Sequence, residues 1–390
     1  MAAQNGSQTS RYSLNQGELT QLARWTLEQG LAIQQIPAPT FDEAARAAYI
    51  SGQFQDLGLQ EISIDEKYNV YGLFKGSESQ HEALMISAHL DTVFAADTPL
   101  ETHREGDLLY GPGLGDNSLG VAGLLAVARV LTSGQVPINC DIWFVATTGE
   151  EGLGDLGGMK AAFARLSHQV RAVINLEGMA LGHVYRAGIA VRRLHITAKA
   201  SGGHSWLHFG KPSAIHGLMQ LGARITALKP PAAPRTTYNI GMIDGGTTIN
   251  AIAAEASLWL DLRSEDGKAL AILEKAVRDE TDRMSSDELK FTVEVVGDRP
   301  AGQIPPDHPL IQIAMSALAQ VSLRGALEAG STDANVPLAH GCPAITVGVT
   351  RGGNAHRLDE FIEVSPIAAG LHQLILITIG AAQQIAANDV

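Results

Sequence analysis

Apolar and polar positions along this chain follow two periods, and the switches between them mark its elements. Short runs at 83–86, 141–146, 172–176 and 344–349 are apolar almost without interruption. Runs of that length with no alternation read as strands buried on both faces. Helical spacing of apolar residues covers 17–35, 41–57, 121–131, 159–166 and 308–320, and a last apolar helix runs over 367–387. Thr40 followed by Glu43 predicts a capping box opening the second helix. Residues 60–74 alternate as a strand pair. Buried strands separated by helices predict an α/β domain with a mostly parallel sheet, which collects functional groups beyond the carboxyl ends of its strands.

From about Arg186 the pattern changes. Strand-like alternation at 191–200, a helix at 214–228, strands at 236–243 and 257–263, a charged amphipathic helix at 270–284 and a strand at 290–296 follow in order. That β-α-β-β-α-β succession predicts an inserted ferredoxin-like unit of about a hundred residues. The expected division is a disordered tail over 1–16, one domain formed by 17–187 and 299–390, and an inserted domain over 188–298.

Composition narrows the function classes. The 390 residues carry 28 basic and 41 acidic side chains, a formal net charge of −13, with no basic run. That argues against nucleic acid as a partner. Cys140 and Cys342 are the only cysteines, and both lie beside apolar strand-like runs, so buried thiols in a reducing compartment are expected rather than a disulfide framework. The first ten residues are polar, without a signal-like apolar core, and His372, Gln373, Gln383 and Gln384 interrupt the last helix. A cytoplasmic enzyme with no membrane span is the expectation.

The strands end in chemistry. Ala83 to Ile86 leads into Ser87-Ala88-His89-Leu90-Asp91. His89 and Asp91, two apart, fall on one side of extended backbone, an arrangement in which a carboxylate fixes the tautomer of a metal-binding imidazole. Gly111-Pro112-Gly113-Leu114-Gly115-Asp116 is glycine-rich, but Asp116 stands where a dinucleotide fingerprint needs its third glycine, and no clean strand precedes it. The next two buried strands run into Gly149-Glu150-Glu151-Gly152 and Glu177-Gly178, and the 344–349 strand into a polar loop with His356. Histidines and carboxylates converging without a nearby thiol suit a two-metal site with oxygen and nitrogen ligands. Two such ions bring the pKa of a water towards about 7, and an adjacent glutamate can carry its proton to a leaving amine.

At these residues the chain resembles the dinuclear zinc exopeptidases that include peptidase T, carboxypeptidase G and aminoacylase. The likeness rests on Ala88-His89-Leu90-Asp91-Thr92, Gly115-Asp116-Asn117, Thr148-Gly149-Glu150-Glu151, Glu177-Gly178 and His356 taken together. It implies a phosphorylase/hydrolase-like catalytic domain interrupted by a lid that often forms a homodimer. It further implies two Zn2+ (or Mn2+ or Co2+) per chain: His89 and Glu177 on one ion, Glu151 and His356 on the other, and Asp116 bridging. Asp91 would orient His89, Glu150 would be the general base, and a cis peptide would follow Asp116.

In the lid, His204 resembles the histidine that polarises the substrate carbonyl, often across a dimer, while His208 reads as structural. Asn250, Arg263 and the loop containing Ser331 resemble substrate-contacting positions; for Arg263 the competing reading is a strand-edge ion pair. Asp333 is expected to cap a helix. The implied substrate is a short peptide or an N-acyl amino acid. Glu177 resembles the carboxypeptidase- and aminoacylase-like members, whereas Gly245 to Asn250 resembles peptidase T. An inactive scaffold on the same fold is the remote alternative.

Overall fold

The computed structural model describes residues 14–77 and 82–387. The first thirteen positions of the expected tail lie outside them. Within the tail's last residues Asn15 already caps α1 (Gln16–Gln34): its side chain accepts the Glu18 N–H and the Glu18 carboxylate accepts the Asn15 N–H. The chain divides into two compact units, Met1–Gly188 with Gly302–Val390, and Ile189–Ala301.

In the first unit α1 is followed by α2 (Ala44–Asp56), β1 (Gln60–Ile64), β2 (Val70–Phe74), β3 (Ala83–His89), α3 (Leu119–Thr132), β4 (Asp141–Thr147), α4 (Gly157–Leu166), β5 (Val170–Glu177) and β6 (His183–Gly188). The second unit then runs β7 (Ala190–Ala200), α5 (Ala214–Ala227), β8 (Thr236–Gly245), β9 (Glu255–Ser264), α6 (Gly267–Met284) and β10 (Leu289–Arg299). The first unit resumes with β11 (Gly302–Gln303), α7 (Pro309–Gln320), β12 (Ala326–Gly330), α8 (Asn335–Ala339), β13 (Ala344–Gly348) and α9 (Ile367–Ala386).

The large sheet has the order β1-β2-β4-β3-β5-β13-β6-β11, with β12 also on β6. Its centre, β4-β3-β5-β13, is parallel throughout, and antiparallel strands flank it. Every residue of β3 and β4 is buried, as expected for parallel strands covered on both faces. Register then decides where the chemistry sits. His89 lies opposite Thr147, and Glu177 opposite Gly348, so four strands end side by side. Helices α1, α3, α7 and α9 pack together, with α3 and α9 also on β3 and β5, while α2 packs on β1 and β2 and α4 on β4.

In the second unit the sheet order β8-β9-β7-β10 is wholly antiparallel, and α5 and α6 pack on it over a separate apolar core. This is the ferredoxin-like β-α-β-β-α-β unit.

Several local expectations are corrected. The capping box at Thr40 and Glu43 does not form: α2 starts at Ala44, Glu43 makes no side-chain cap, and Phe41 takes a left-handed φ of 80°. A short strand, Leu108–Tyr110, does precede the glycine-rich loop. Strands β6, β11 and β12 and helix α8 escaped the pattern because they are short or exposed at the sheet edge. Among the described residues one helical segment, Leu114–Thr132, is long and apolar enough to cross a membrane, but 89% of its apolar window is buried inside the protein. Helix α9 is likewise mostly buried. Cys140 is buried and Cys342 half-buried, and burial pushes their thiols up to about 11 and about 12.

Candidate active site

The chain segments at and beyond the ends of β3, β4, β5 and β13 supply the centre, and the Asp116 loop joins them. His89, the last residue of β3, is buried, and its Nδ1 lies 3.1 Å from the Asp91 carbonyl oxygen. Donation from Nδ1–H to that carbonyl leaves the Nε2 lone pair free to face the site. Nε2 is 3.2 Å from Asp116 Oδ1 and 3.5 Å from Glu177 Oε2. On the other side, His356 Nε2 is 3.2 Å from Asp116 Oδ2 and 3.0 Å from Glu151 Oε1. Asp116 thus turns one carboxylate oxygen to each imidazole. The Asp116–Asn117 peptide is cis, and His356 sits at a left-handed φ of 66°, a conformation that costs a bulky residue on the order of 1–2 kcal/mol.

The turn that carries Glu150 and Glu151 is held by buried carboxylates. Glu150 N–H donates to Asp91 Oδ1 (2.9 Å) and Glu151 N–H to Asp91 Oδ2 (3.0 Å). Thr40 Oγ1 donates to Asp91 Oδ2 (2.9 Å), and Glu43 Oε1 accepts the Gly149 N–H (3.1 Å). Asp91 thus faces both the His89 imidazole and this turn. Its carboxylate is 3.5 Å from His89 Nδ1, farther than its own backbone carbonyl, and its strong bonds go to the Glu150–Glu151 turn. Thr40 and Glu43, read as a helix cap, instead brace the site.

The electrostatics follow from crowding. Burial opposes charge on His89, but Glu177, Asp116 and Asp91 outweigh it and raise its pKa well above the ordinary value. Hydrogen bonds to Asp116 and Glu151 push His356 up to about 10. Burial works to raise Asp116, yet hydrogen bonds from both imidazoles hold it below the usual carboxylate range. Burial raises Glu177, with Asp116 and Glu151 adding to it.

The residues present fit a divalent metal. His89 with Asp116 and Glu177, and His356 with Asp116 and Glu151, are two donor sets sharing one carboxylate. Metal–ligand distances of about 2.0–2.1 Å in a tetrahedral site place ligands about 3.3 Å apart, and the separations above span 3.0–3.5 Å. Imidazole and carboxylate oxygen are the donors zinc takes in catalytic sites. Glu150 belongs to a further cluster with His89 and Glu151.

The family model for peptidase family M20/M25/M40 matches residues 85–377, three quarters of the chain. The chain belongs to this peptidase family. It is therefore a hydrolase of the metallopeptidase and amidohydrolase kind. Among relatives, it is 26% identical over 354 residues to an acetylornithine deacetylase of Yersinia pseudotuberculosis, covering 81% of this chain and 85% of that one. Among solved structures it resembles a tripeptidase from Staphylococcus aureus (TM-score 0.78, 22% identity, 93% and 99% of the two chains). It also resembles a dipeptidase from Saccharomyces cerevisiae (TM-score 0.75, 15% identity, 94% and 97%). At these identities the structural likeness speaks for the fold.

The remaining candidates of this M20-family chain are distributed between its units. Ser331 is half-buried in the turn between β12 and α8 of the first unit. His204, Asn250 and Arg263 belong to the second. There Gly203–His204 pairs with Ala251–Ile252, and Ser205 N–H donates to the Asn250 carbonyl, which brings His204 and Asn250 together. His204 Nδ1 accepts N–H groups of Trp206 (3.2 Å) and Leu207 (3.4 Å), so the neutral ring carries its proton on Nε2 and can donate it. His208 Nδ1 accepts the His204 N–H (2.9 Å), a local brace. The Arg263 guanidinium is engaged by Asp261, at 3.0 Å from Nη2, as the ion-pair reading required.

Asp333 does not cap α8. It is fully buried, accepts a 2.6 Å bond from Thr147 Oγ1, and burial pushes its carboxyl up to about 7. Sequence reasoning missed Asn175, whose Nδ2 reaches Glu177 Oε1 (3.3 Å) and Thr346 Oγ1 (3.3 Å). An asparagine two residues before a strand-end carboxylate, inside an apolar run, was its only sequence signal.

Proposed function

We propose that this chain is a cytoplasmic two-metal exopeptidase that hydrolyses the amide bond of short peptides. The observation that carries the reading is Asp116, with one oxygen toward His89 and the other toward His356, each pair completed by a glutamate. In this reading His89, Glu177 and Asp116 hold one Zn2+, and His356, Glu151 and Asp116 the second. Bound there, the ions supply Lewis acidity that acidifies water and polarises a carbonyl. Glu150, 6% exposed at the turn held by Asp91, takes the proton from the attacking water and gives it to the leaving amine nitrogen. His204, with Nε2–H available, is the donor for the oxyanion. Asn250 and Ser331 are the substrate-contacting positions, Arg263 being held in its ion pair with Asp261, and the second unit serves as lid and as the contact of a homodimer.

The test is a panel of di- and tripeptides set against N-acyl amino acids, run on zinc-loaded protein. Peptide turnover at least about tenfold above deacylation, a difference of 1.4 kcal/mol in barrier, supports the reading; the reverse order sinks it. The acetylornithine deacetylase likeness and Glu177 favour N-acyl amino acid hydrolysis as the second reading. The lid role is tested separately: His204→Ala lowers kcat about 10²–10³-fold, the scale for one oxyanion donor, with zinc content unchanged. Loss of zinc in that variant would remove His204 from the role given to it.

A further inference from the structure

Two side chains outside the donor set tie the Asp116 loop to its neighbours, Glu360 reaching in from the His356 segment and Asn117 reaching out from the loop itself. Glu360 is fully buried, and its Oε1 accepts the amide N–H of Gly115 at 2.7 Å and of Asp116 at 3.0 Å. It follows His356 by four positions, so one short segment carries both an imidazole of the site and this carboxylate. Asn117 reaches the other way. Its Nδ2 donates to the Leu176 carbonyl and its Oδ1 accepts the Gly178 N–H, each at 2.8 Å. Those are the backbone groups on either side of Glu177.

The bridging carboxylate is therefore tied to the His356 segment through Glu360 and to the Glu177 segment through Asn117. Slack in either tie lets the carboxylate turn, which lengthens the separation to one imidazole more than to the other. Removing the Glu360 carboxylate also strands two buried N–H groups. Building on the two-ion reading above, we propose that Glu360 is a positioning residue for the ion held by Glu151, His356 and Asp116, and Asn117 one for the ion held by His89, Glu177 and Asp116.

Zn2+ affinities of the full chain, measured by competition with a chromogenic chelator, test this. Wild type binds two ions; binding of fewer would overturn the two-ion reading itself, independently of Glu360. Given two ions, Glu360→Asp, which withdraws the acceptor by one methylene, and Glu360→Ala lower one of the two affinities about 10–100-fold, the usual scale for groups that orient metal ligands. Glu360→Gln keeps an acceptor oxygen at the same reach and stays within about threefold of wild type, a small step on that scale. His356→Ala leaves one ion, and in that background Glu360→Asp changes its affinity by less than about threefold while Asn117→Ala still weakens it about tenfold or more.

The proposal is overturned if Glu360→Asp leaves both wild-type affinities unchanged, or if it weakens the remaining ion of the His356→Ala chain as much as it weakens wild type. Should far-UV circular dichroism show that Glu360→Ala does not fold, Glu360→Asp and Glu360→Gln decide the matter.

Discussion

Glu150 and Glu151 are neighbours with the same side chain, and the structure gives them different surroundings. Glu151 is paired with His356, while both backbone amides are pinned to Asp91. Replacing Glu150 by Gln should lower kcat about 10²–10⁴-fold, the range for losing a positioned proton carrier, while metal analysis still finds the wild-type content. Loss of metal along with activity would make Glu150 a ligand instead. Asp333 offers a test free of catalysis. Its carboxyl is raised from the ordinary 3.8 to about 7 by burial, so between those values the folded chain binds the proton more tightly than the unfolded one. Its contribution to stability therefore falls as pH rises through that window. In metal-free protein, Asp333→Asn should gain stability over wild type between pH 5 and pH 8, by on the order of 1–3 kcal/mol. Urea midpoints of the two proteins at both pH values check this, and an equal difference at each would refute it.

At the scale of elements, close approach decides more than propensity. Gly370 lies in α9, where a Cβ would stand 1.7 Å from the Val349 carbonyl oxygen. Helix propensity alone favours Ala over Gly by about 1 kcal/mol. Both the carbonyl and the helix are backbone, so neither can yield cheaply, and overpacking of this kind costs about 1–3 kcal/mol or more. Gly370→Ala should therefore destabilise the chain by about 2 kcal/mol in chemical denaturation; a stabilised variant would show that α9 shifts freely. Gly120 repeats the theme at the start of α3, where a Cβ would meet Asn117 Oδ1 at 1.9 Å. The buried strands and long helices were legible because their apolar patterns run unbroken, as in β3 and α3. The Thr40–Glu43 motif was misread because its side chains had stronger partners elsewhere: a buried carboxylate for Thr40 and the Gly149 amide for Glu43.

For the molecule as a whole, the proposed two-metal reading of the cluster of Asp91, Asp116, Glu150, Glu151 and Glu177 around two histidines would make folding and metal binding interdependent. Stripping divalent ions with a chelator should abolish amide hydrolysis and lower the thermal midpoint, and Zn2+, Mn2+ or Co2+ should restore both. An ion at a hundred times its Kd adds about 2.7 kcal/mol to stability. Calorimetry with and without chelator reads this directly, and an unchanged midpoint with full activity would rule out the metal site. Belonging to the M20/M25/M40 family fixes the kind of hydrolase. The substrate stays a matter for the peptide and N-acyl amino acid panel, because relatives on this fold include both peptidases and a deacetylase.

By itself the sequence determined the α/β class, the ferredoxin-like insertion and the residue types gathered at the strand ends, since periodicity and strand-end chemistry are local properties of a chain. Tertiary structure alone decided what each polar group is bonded to. Asp91 sits two residues from His89 in sequence, yet register across β3 and β4 carries its carboxylate to the amides of Glu150 and Glu151. Glu360 and Asp116 are 244 positions apart, and no local pattern links them. A buried acceptor takes the nearest good donor in space, and which donor that is depends on how the strands align rather than on spacing along the chain.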